Sequence, residues 1–416
     1  MNINSGDIAF ILMSSALVFL MTPGLAFFYS GMVRRKNALN TLMSVFFICG
    51  LASVMWVACG YSLSFGADHG GIIGGFNHLF FNGVSTTIEN TAYASTIPEA
   101  LFAGFQMMFA IITPALIVGS LEGRMKFSAL FIFIALWSLL VYYPLAHMVW
   151  GEGGFIRELG AVDFAGGNVV HISSGISGLV ACILLGKRRG YGIVSYKPHN
   201  IPFVLLGAGL LWFGWFGFNA GSALGANGLA VHAFLTTNTS AAVAMLSWML
   251  IEKIIHGKPT LLGAATGAVV GLVAITPGAG FVPIWAAFII GGLVSPICLF
   301  FMSKIKSKFG YDDALDAFGC HGIGGIWGGI ATGLFAKSSI NSAAKWNGLV
   351  YGETKLFVAQ ILSILITIAL AGIVTFVIIF VMKKVTNIRV STIDEVQGLD
   401  HSEHGESAYP SFTGLD

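Results

Sequence analysis

The chain has 416 residues, of which 56% are hydrophobic and only 10% are charged, with a formal net charge of +2. A soluble domain typically carries about 25% charged residues. Together with a mean hydropathy of +0.83, this composition excludes one large soluble core and indicates a membrane protein.

Eleven apolar runs follow one another along the chain, each close to the roughly 20 residues that cross a bilayer as a helix. The 54 glycines suit the close packing of such helices. We therefore predict an all-α polytopic membrane protein with eleven transmembrane helices. They lie at residues 8–32, 39–65, 98–121, 126–148, 168–186, 200–221, 229–252, 259–275, 281–303, 316–336 and 353–383.

The basic residues fall almost wholly in the loops that follow odd-numbered helices. These residues are Arg34, Arg35, Lys36, Arg124, Lys126, Lys187, Arg188, Arg189, Lys197, Lys253, Lys258, Lys304, Lys306, Lys308, Lys383, Lys384 and Arg389. The opposite loops hold only Arg157, Lys337, Lys345 and Lys355. Basic loops face the cytoplasm in membrane proteins. We therefore expect a multi-pass protein of the cell membrane with its N-terminus outside and its C-terminus in the cytoplasm.

The chain divides into two parts by composition. Residues 1–385 form the predicted transmembrane domain, and residues 386–416 form a polar cytoplasmic tail. The five cysteines all lie in apolar runs without a CxxC motif or zinc-like spacing to histidine, so they are interpreted as small core residues. We expect no metal, no cofactor and no nucleic-acid partner.

Two similar segments carry a histidine eight residues after an aspartate. One begins at Asp163 and ends at His171, and the other begins at Asp313 and ends at His321. Their helices run in opposite directions, and eight helical residues rise about 12 Å. The two histidines are therefore expected at similar depth, as in an inverted repeat of five plus five helices with a site near the midplane. The eleventh helix is then a C-terminal addition.

These four residues also have a purely structural interpretation. A histidine inside a membrane can simply hydrogen-bond neighbouring helices, although two at mirrored positions favour a functional role. Each aspartate lies near a helix start, where a carboxylate caps free N–H groups. We favour capping for both. Asp163 also faces outward, where it could attract a cation.

Aromatic residues near the predicted outer face form a second pattern. Phe105 and Phe109 are spaced i, i+4 and share a helix face, as do Phe218 and Ser222, and Trp150 ends the fourth helix. Spacing alone more often reflects packing, and tryptophan is common at bilayer interfaces. The pattern by itself therefore leaves the function open.

The chain resembles the ammonium transporters of the Amt/Mep/Rh family, in the Amt branch. The resemblance covers essentially the whole chain and rests on four motifs. These are TPGLAFFYSGMVRRKN at 22–37, DFAGGNVVHI at 163–172, WFGFNAGSA at 215–223 and FGCHGIGGIWGG at 318–329. It implies a homotrimer in which each protomer has its own narrow pore.

The resemblance also implies roles for individual residues. Trp150, Phe105, Ser222 and Asp163 match the outer site that recruits substrate. Phe109 and Phe218 match a phenyl gate below that site. His171, His321 and Trp215 match the pore lining, in which the two histidines form a twin-histidine pair.

These roles predict how ammonium or methylammonium would be taken up. The aromatic faces hold the cation, and Ser222 accepts an N–H bond that potassium cannot offer. Ammonium loses its proton near the apolar gate, where a bare cation is costly. Ammonia then passes the histidines, with a relayed proton as an open alternative.

Four other functions compete with ammonium uptake. One alternative is an Rh-like channel for neutral gas (NH3 or CO2), which the outer aromatic site disfavours. Another is an ion-coupled transporter with rocking repeats, which the compact pore of Phe and His residues disfavours. An ammonium sensor of the same family usually has a fused signalling domain. An intramembrane metalloprotease using His171, His321 and Asp316 lacks an HExxH motif, so we expect no enzyme activity.

The resemblance finally implies a regulatory partner. A PII-type signal protein would dock on the cytoplasmic face, near Lys187, Arg188, Arg189 and the tail. The alternative for these basic residues is topology signalling alone.

Overall fold

The computed structural model describes residues 3–409, and its regular structure is almost entirely helical. Eleven apolar helical segments occur there, each within a few residues of its predicted position. They are α1 Ser5–Met32, α2 Arg35–Phe65, α3 Glu99–Leu121, α4 127–150, α5 Gly167–Leu185, α6 Ile201–Gly221, α7 Gly228–His256, α8 Leu261–Ile275, α9 Ile284–Phe309, α10 318–335 and α11 Lys355–Val385.

Among residues 3–409, nine of these segments are long and apolar enough to cross a membrane by length and composition. The remaining two, α8 and α10, are shorter. Segment α8 has 15 residues, and α10 joins the π-helical turn Phe318–Ile323 to Gly324–Phe335. The predicted fold class, an all-α polytopic membrane protein, is confirmed.

Several segments contain a π-helical turn, which is often found at functional sites. Two of these turns begin α5 and α10, at Gly167–Ile172 and Phe318–Ile323. Each contains one of the two histidines of the mirrored motif. The other turns are Trp56–Gly60, Ser138–Tyr142 and Phe301–Ile305.

The two halves of the chain are packed in the manner of an inverted repeat. The most extensive helix pairing joins α1 to α6, the first helix of each half. A side chain on Gly207 of α6 would lie 2.3 Å from the backbone N of Phe28, and one on Gly175 of α5 would lie 2.2 Å from that of Gly322. These glycines allow backbone contact between corresponding helices, and α11 packs against α5 and α10 from one side.

The loop between α2 and α3 contains the strands of the described chain, a short hairpin. Strand β1 (Asp68–His69) pairs antiparallel with β2 (Ile73–Gly74). Single helical turns occur at Leu79–Phe81, Phe155–Glu158 and Leu349–Tyr351. Phe155 donates its N–H to the carbonyl of Gly71 in the hairpin at 2.8 Å, which joins this loop to the end of α4.

The segment after α11 folds back onto the loops that follow α1, α3 and α5. It contains α12 (Thr392–Gln397) and α13 (Leu399–His404). The buried Arg124 donates to the carbonyls of Gly186 and Asp312, and Arg389 forms an ion pair with Glu395 at 2.9 Å. The basic loops identified in the sequence therefore lie at one end of the molecule, together with this segment. Residues 410–416 of the predicted tail lie outside the described part of the chain.

Candidate functional site

A cavity of about 290 Å³ lies at the end of the helix bundle opposite the basic loops. Four residues predicted at or below the outer site line it: Phe109, Trp150, Asp163 and Ser222. Phe65, Tyr93, Phe102, Gln106 and Phe281 also line it. Seven of the seventeen residues that line the cavity are aromatic, which suits a small cation.

Phe105 does not line this cavity. Its ring is fully buried and packs edge-on against Phe109, with ring centroids 5.0 Å apart. A side chain on Gly221 would lie 2.9 Å from the Phe105 ring. The structure thus places Phe105 behind Phe109, and its predicted role in recruitment stays a prediction.

The lining residues that the sequence did not predict come from several parts of the chain: Phe65 ends α2, Phe102 and Gln106 lie on α3, Phe281 precedes α9, and Tyr93 lies in the loop between α2 and α3. Tyr93 stacks on Phe102 with the ring planes 6° apart, but Tyr93 lies in a loop whose course cannot be predicted from periodicity. Gln106 is different, because a lone amide in the apolar segment α3 is itself a signal of function.

Trp150 is held in place by polar contacts at the end of α4. Its indole N–H donates to the carbonyl of Asp163 at 2.9 Å, and its ring meets Phe109 edge to face at 6.0 Å. Arg157 donates to the Trp150 carbonyl at 3.0 Å. Trp150 therefore presents a fixed aromatic surface to the cavity.

Ser222 is oriented as a hydrogen-bond acceptor. Its hydroxyl donates to the carbonyl of Phe218, one turn earlier in α6, at 2.9 Å. A hydroxyl has one proton and two lone pairs. With the proton engaged, the oxygen can offer only lone pairs to a molecule in the cavity.

The two phenylalanines below the cavity are in direct contact. The rings of Phe109 and Phe218 lie 4.4 Å apart at 42°, and both side chains are fully buried. They close the inner side of the cavity with apolar surface.

His171 and His321 lie beyond these rings and face one another. Their Nδ1 atoms are 3.3 Å apart, and their rings are nearly parallel, 5.4 Å apart at 16°. His171 lies 6.1 Å from Phe218, and it stacks on Trp215 at 5.4 Å. Trp215 donates its indole N–H to Thr276 at 2.9 Å, which fixes this part of the lining.

Each histidine lies in a π-helical turn that an aspartate caps. The carboxylate of Asp163 accepts four backbone N–H groups, from Gly166, Gly167, Asn168 and Val169. The carboxylate of Asp313 accepts from Ala317, Phe318 and the hydroxyl of Ser120. The two caps are built alike, and each fixes the start of the turn that carries a histidine.

A second cavity, of about 350 Å³, lies on the other side of the histidine pair. Cys320, next to His321, lines it together with Asp316, Met302 and Glu252. Within residues 3–409, no group of three or more His, Cys, Asp or Glu residues is arranged to hold a metal ion. The site is therefore a line of aromatic and imidazole groups between two cavities.

Comparison with known proteins points to one family. The model of the "Ammonium Transporter Family" matches residues 9–409. The chain is similar to an ammonium transporter of Bacillus subtilis (strain 168), with 52% identity over 97% of this chain and 98% of that protein. It is also similar to the ammonium transporter Amt1 of Archaeoglobus fulgidus, with 46% identity over 98% of this chain and 100% of that protein.

Solved structures give the same result. The crystal structure of Mep2 from Saccharomyces cerevisiae matches with a TM-score of 0.88 at 35% identity, over 94% of this chain and 91% of that one. A structure titled as a sensor Amt protein matches with a TM-score of 0.87 at 27% identity, over 96% of this chain and 98% of that one.

Proposed function

Since the chain belongs to the ammonium transporter family and is a multi-pass membrane transporter of ammonium, we propose that it works in three steps and without enzymatic activity. It recruits ammonium at the outer cavity, removes the proton near the Phe109–Phe218 gate, and passes ammonia along the histidine pair. The observation that supports this order is the unbroken series of ring contacts from Trp150 through Phe109 and Phe218 to His171.

The recruitment step separates ammonium from potassium by hydrogen bonding. Both cations gain up to about 2 kcal/mol over a desolvated aromatic face, so Trp150 attracts either ion. Ser222 adds a difference, because its oxygen has lone pairs to offer and only ammonium can donate to them. Asp163 adds negative charge near the cavity, although its carboxylate is already occupied by backbone N–H groups.

The gate favours loss of the proton. An unpaired cation in apolar surroundings costs many kcal/mol, and the fully buried rings of Phe109 and Phe218 provide such surroundings. Ammonium escapes this cost by losing a proton, which potassium cannot do. Closed rings therefore exclude the wrong ion and admit neutral ammonia.

The histidine pair provides polar groups for ammonia in an otherwise apolar path. Imidazole can donate or accept a hydrogen bond. The contact between the two Nδ1 atoms holds both rings in one orientation, with Trp215 stacked behind His171. The pair can line the path of ammonia or relay the released proton.

The decisive experiment measures ammonium and methylammonium uptake with potassium as competitor, in a strain without its own ammonium transporters. We expect saturable uptake that excess potassium does not abolish. Current measurements on purified protein in proteoliposomes then distinguish transport of ammonia with its proton from transport of neutral ammonia. A current on addition of ammonium shows that the proton follows, whereas uptake without current shows that neutral ammonia moves alone, as in the alternative of a neutral gas channel. No uptake would favour a sensor and overturn the transport mechanism.

The assembly and orientation form a second part of the proposal. We place the protein in the cell membrane as a homotrimer, with the outer cavity outside and the basic loops in the cytoplasm, following the charge pattern of the loops. Residues 386–416 would then form a cytoplasmic regulatory tail. A PII-type signal protein is the partner proposed for that face.

A further inference from the structure

The histidine His147 is fully buried in the last turn of α4 and has two hydrogen-bond partners. Its Nδ1 lies 3.0 Å from the carbonyl oxygen of Ser64, and its Nε2 lies 2.9 Å from a carboxylate oxygen of Asp68. Asp68 belongs to β1 and is partly exposed to solvent. The mechanism proposed above makes no use of this pair.

The two contacts fix the number of protons in the pair. A carbonyl only accepts, so Nδ1 donates its N–H to Ser64. An ionised carboxylate also only accepts, so Nε2 must donate as well, and only a doubly protonated imidazole does both. The hydrogen bond from His147 holds the pKa of Asp68 below its usual range, which favours an ionised carboxylate.

This pair joins three structural elements at the outer site. Ser64 lies at the end of α2, Asp68 lies in the hairpin, and His147 lies one turn before Trp150 on α4. The carbonyl of His147 also accepts the N–H of Gly151 at 2.8 Å, which ends the helix directly after Trp150. Any movement of His147 is therefore passed to the indole that lines the outer cavity.

No other titratable group in the described chain hydrogen-bonds to the His147 ring. The titratable or charged residues on the elements and the loop packed around it, other than Asp68, are Cys59, Tyr61, His69, His78, Tyr93, Tyr142, Tyr143, Glu152, Arg157, Glu158, Asp163 and His171. The extra proton therefore depends on the carboxylate of Asp68.

We propose that His147 and Asp68 form a proton-dependent clamp, with His147 as a positioning residue that holds Trp150 in the geometry that recruits ammonium. When external alkalinity removes the proton, the bare Nε2 lone pair faces a carboxylate oxygen, and the hairpin separates from α4. Recruitment then weakens, while the gate and the histidine pair are unaffected. This inference rests on the proposed role of Trp150 in recruitment.

The variant Asp68→Asn provides a direct test, because its amide can donate to a neutral His147 and so removes the need for the proton. The N–H of Gly71, which donates to the same oxygen of Asp68 at 2.7 Å, loses its acceptor in this variant at every pH, so that loss does not enter the pH dependence. A neutral His147 donates from Nδ1 to Ser64 and accepts at Nε2 from the amide of Asn. We expect the ratio of wild-type to Asp68→Asn KM for ammonium to rise roughly fivefold as external pH is raised from about 5 to about 8.5. Both proteins are exposed to the same ammonium concentration at each pH, so the titration of ammonium itself cancels in the ratio of the two KM values. A ratio that does not change with pH overturns the clamp.

Two further variants separate the clamp from other effects. Glu152→Gln removes an exposed acidic group at the same rim and is expected to keep the wild-type pH profile. If the KM of Glu152→Gln lost the wild-type pH dependence, that dependence would come from the exposed negative charge at the rim of the cavity, and the clamp would be overturned. In a Trp150→Leu background, the pH-dependent ratio should disappear, and its persistence would show that His147 does not act through Trp150.

A readout without substrate keeps this test apart from that of the proposed function. Amide hydrogen exchange in residues 147–155 is compared between wild type and Asp68→Asn at each pH. We expect faster exchange in the wild type at high pH, and equal rates at every pH overturn the clamp. If Trp150→Leu alone leaves the KM unchanged, the proposed role of Trp150 in recruitment is wrong. The amide hydrogen exchange of residues 147–155 then tests the clamp by itself. Should Asp68→Asn not reach the membrane, His147→Gln is expected to give a raised KM whose only variation with pH is that caused by the titration of ammonium itself.

Discussion

The Nδ1 atoms of His171 and His321 lie 3.3 Å apart, so the two rings share a single proton at this contact when both are neutral. One ring donates from Nδ1 and accepts at Nε2, and the other has the opposite arrangement. The Nε2 of His171 is buried and has no hydrogen-bond partner among residues 3–409. It is the atom available to a molecule that has passed the proposed gate.

Replacing both histidines by alanine should impair the step after recruitment. We expect the maximal rate of ammonium uptake in proteoliposomes to fall by about tenfold or more, with little change in KM, because the outer cavity is untouched. Potassium flux in the same vesicles reports exclusion. The matched control is His232→Ala, whose ring bonds to the carbonyl of Val282 at 2.8 Å away from the pair. Unchanged uptake and unchanged potassium exclusion in the double variant would rule out the twin-histidine role.

Opening the gate should weaken exclusion of potassium. In Phe218→Ala the ring stacked at 4.4 Å on Phe109 is lost, and water can then accompany a cation past this point. We expect a measurable potassium current where the wild type shows none. Phe216→Ala is the control, since Phe216 is on the same helix and stacks at the same distance, 4.4 Å, on Phe234 of α7. A potassium current of equal size in both variants would contradict a specific gate at Phe218.

Removing the acceptor in the outer cavity should affect binding alone. Ser222→Ala deletes the oxygen whose proton is held by Phe218. A hydrogen bond to a charged donor contributes about 1.5–3 kcal/mol, so we expect KM to rise roughly tenfold or more with a nearly constant maximal rate. Inhibition by potassium should become stronger relative to ammonium. Ser222→Thr retains the hydroxyl and is expected to keep most of the affinity. An unchanged KM in Ser222→Ala would remove Ser222 from the site.

The helices were predictable because their signal is strong and local. Segment α6 was predicted at 200–221 and is observed at Ile201–Gly221, since a long apolar run has few alternatives to a membrane helix. The equal Asp-to-His spacing likewise predicted that His171 and His321 lie at similar depth. The physical reason differs from the expected rise of eight helical residues, since residues 163–166 and 313–316 are not helical. Each aspartate instead caps a π-helical turn of six residues that carries the histidine.

Other parts of the site were beyond what periodicity contains. The i, i+4 spacing places Phe105 and Phe109 on one face of α3 but does not say which ring lines the cavity. In the structure Phe109 lines it and Phe105 lies behind Phe109. The π-helical turns shift the register by one residue, a change that hydropathy does not record. The contact of Asp68 with His147 spans 79 residues and depends on a loop that has no repeating pattern.

The two aspartate caps should contribute to stability in unequal measure. In Asp163→Asn, an amide NH2 group replaces one of the two acceptor oxygens. This group faces backbone N–H groups and cannot accept from them, so two of the four hydrogen bonds from the backbone are lost. We expect a loss of about 2 kcal/mol and a lower melting temperature in detergent. Asp313→Asn should cost less, because the Ser120 hydroxyl can turn to accept from the new amide. If Asp163 only attracts cations, Asp163→Asn will raise KM and leave the melting temperature unchanged.

The carboxyl of Glu122, just after the end of α3, should make stability depend on pH. Burial raises its pKa to about 7. The hydroxyl of Thr41 lies 2.7 Å from Glu122 and 2.8 Å from the carbonyl of Asn37, and its single proton can serve only one of them. A protonated Glu122 satisfies both contacts by donating to Thr41.

A raised acid pKa means that the folded state prefers the protonated form. The contribution of protonated Glu122 to the free energy of unfolding is present in full below the ordinary glutamate pKa of about 4.3. It is lost as pH rises through about 7. Glu122→Gln stays neutral and can still donate to Thr41. We therefore expect its melting temperature in detergent to match that of the wild type near pH 4.5 and to exceed it increasingly up to pH 7, by the equivalent of about 3 kcal/mol at most. Glu406→Gln, at an exposed position, should follow the wild type throughout. A constant difference between Glu122→Gln and the wild type across this range would show that Glu122 is ionised in the folded protein, since only a group that titrates differently in the folded and unfolded states changes stability with pH.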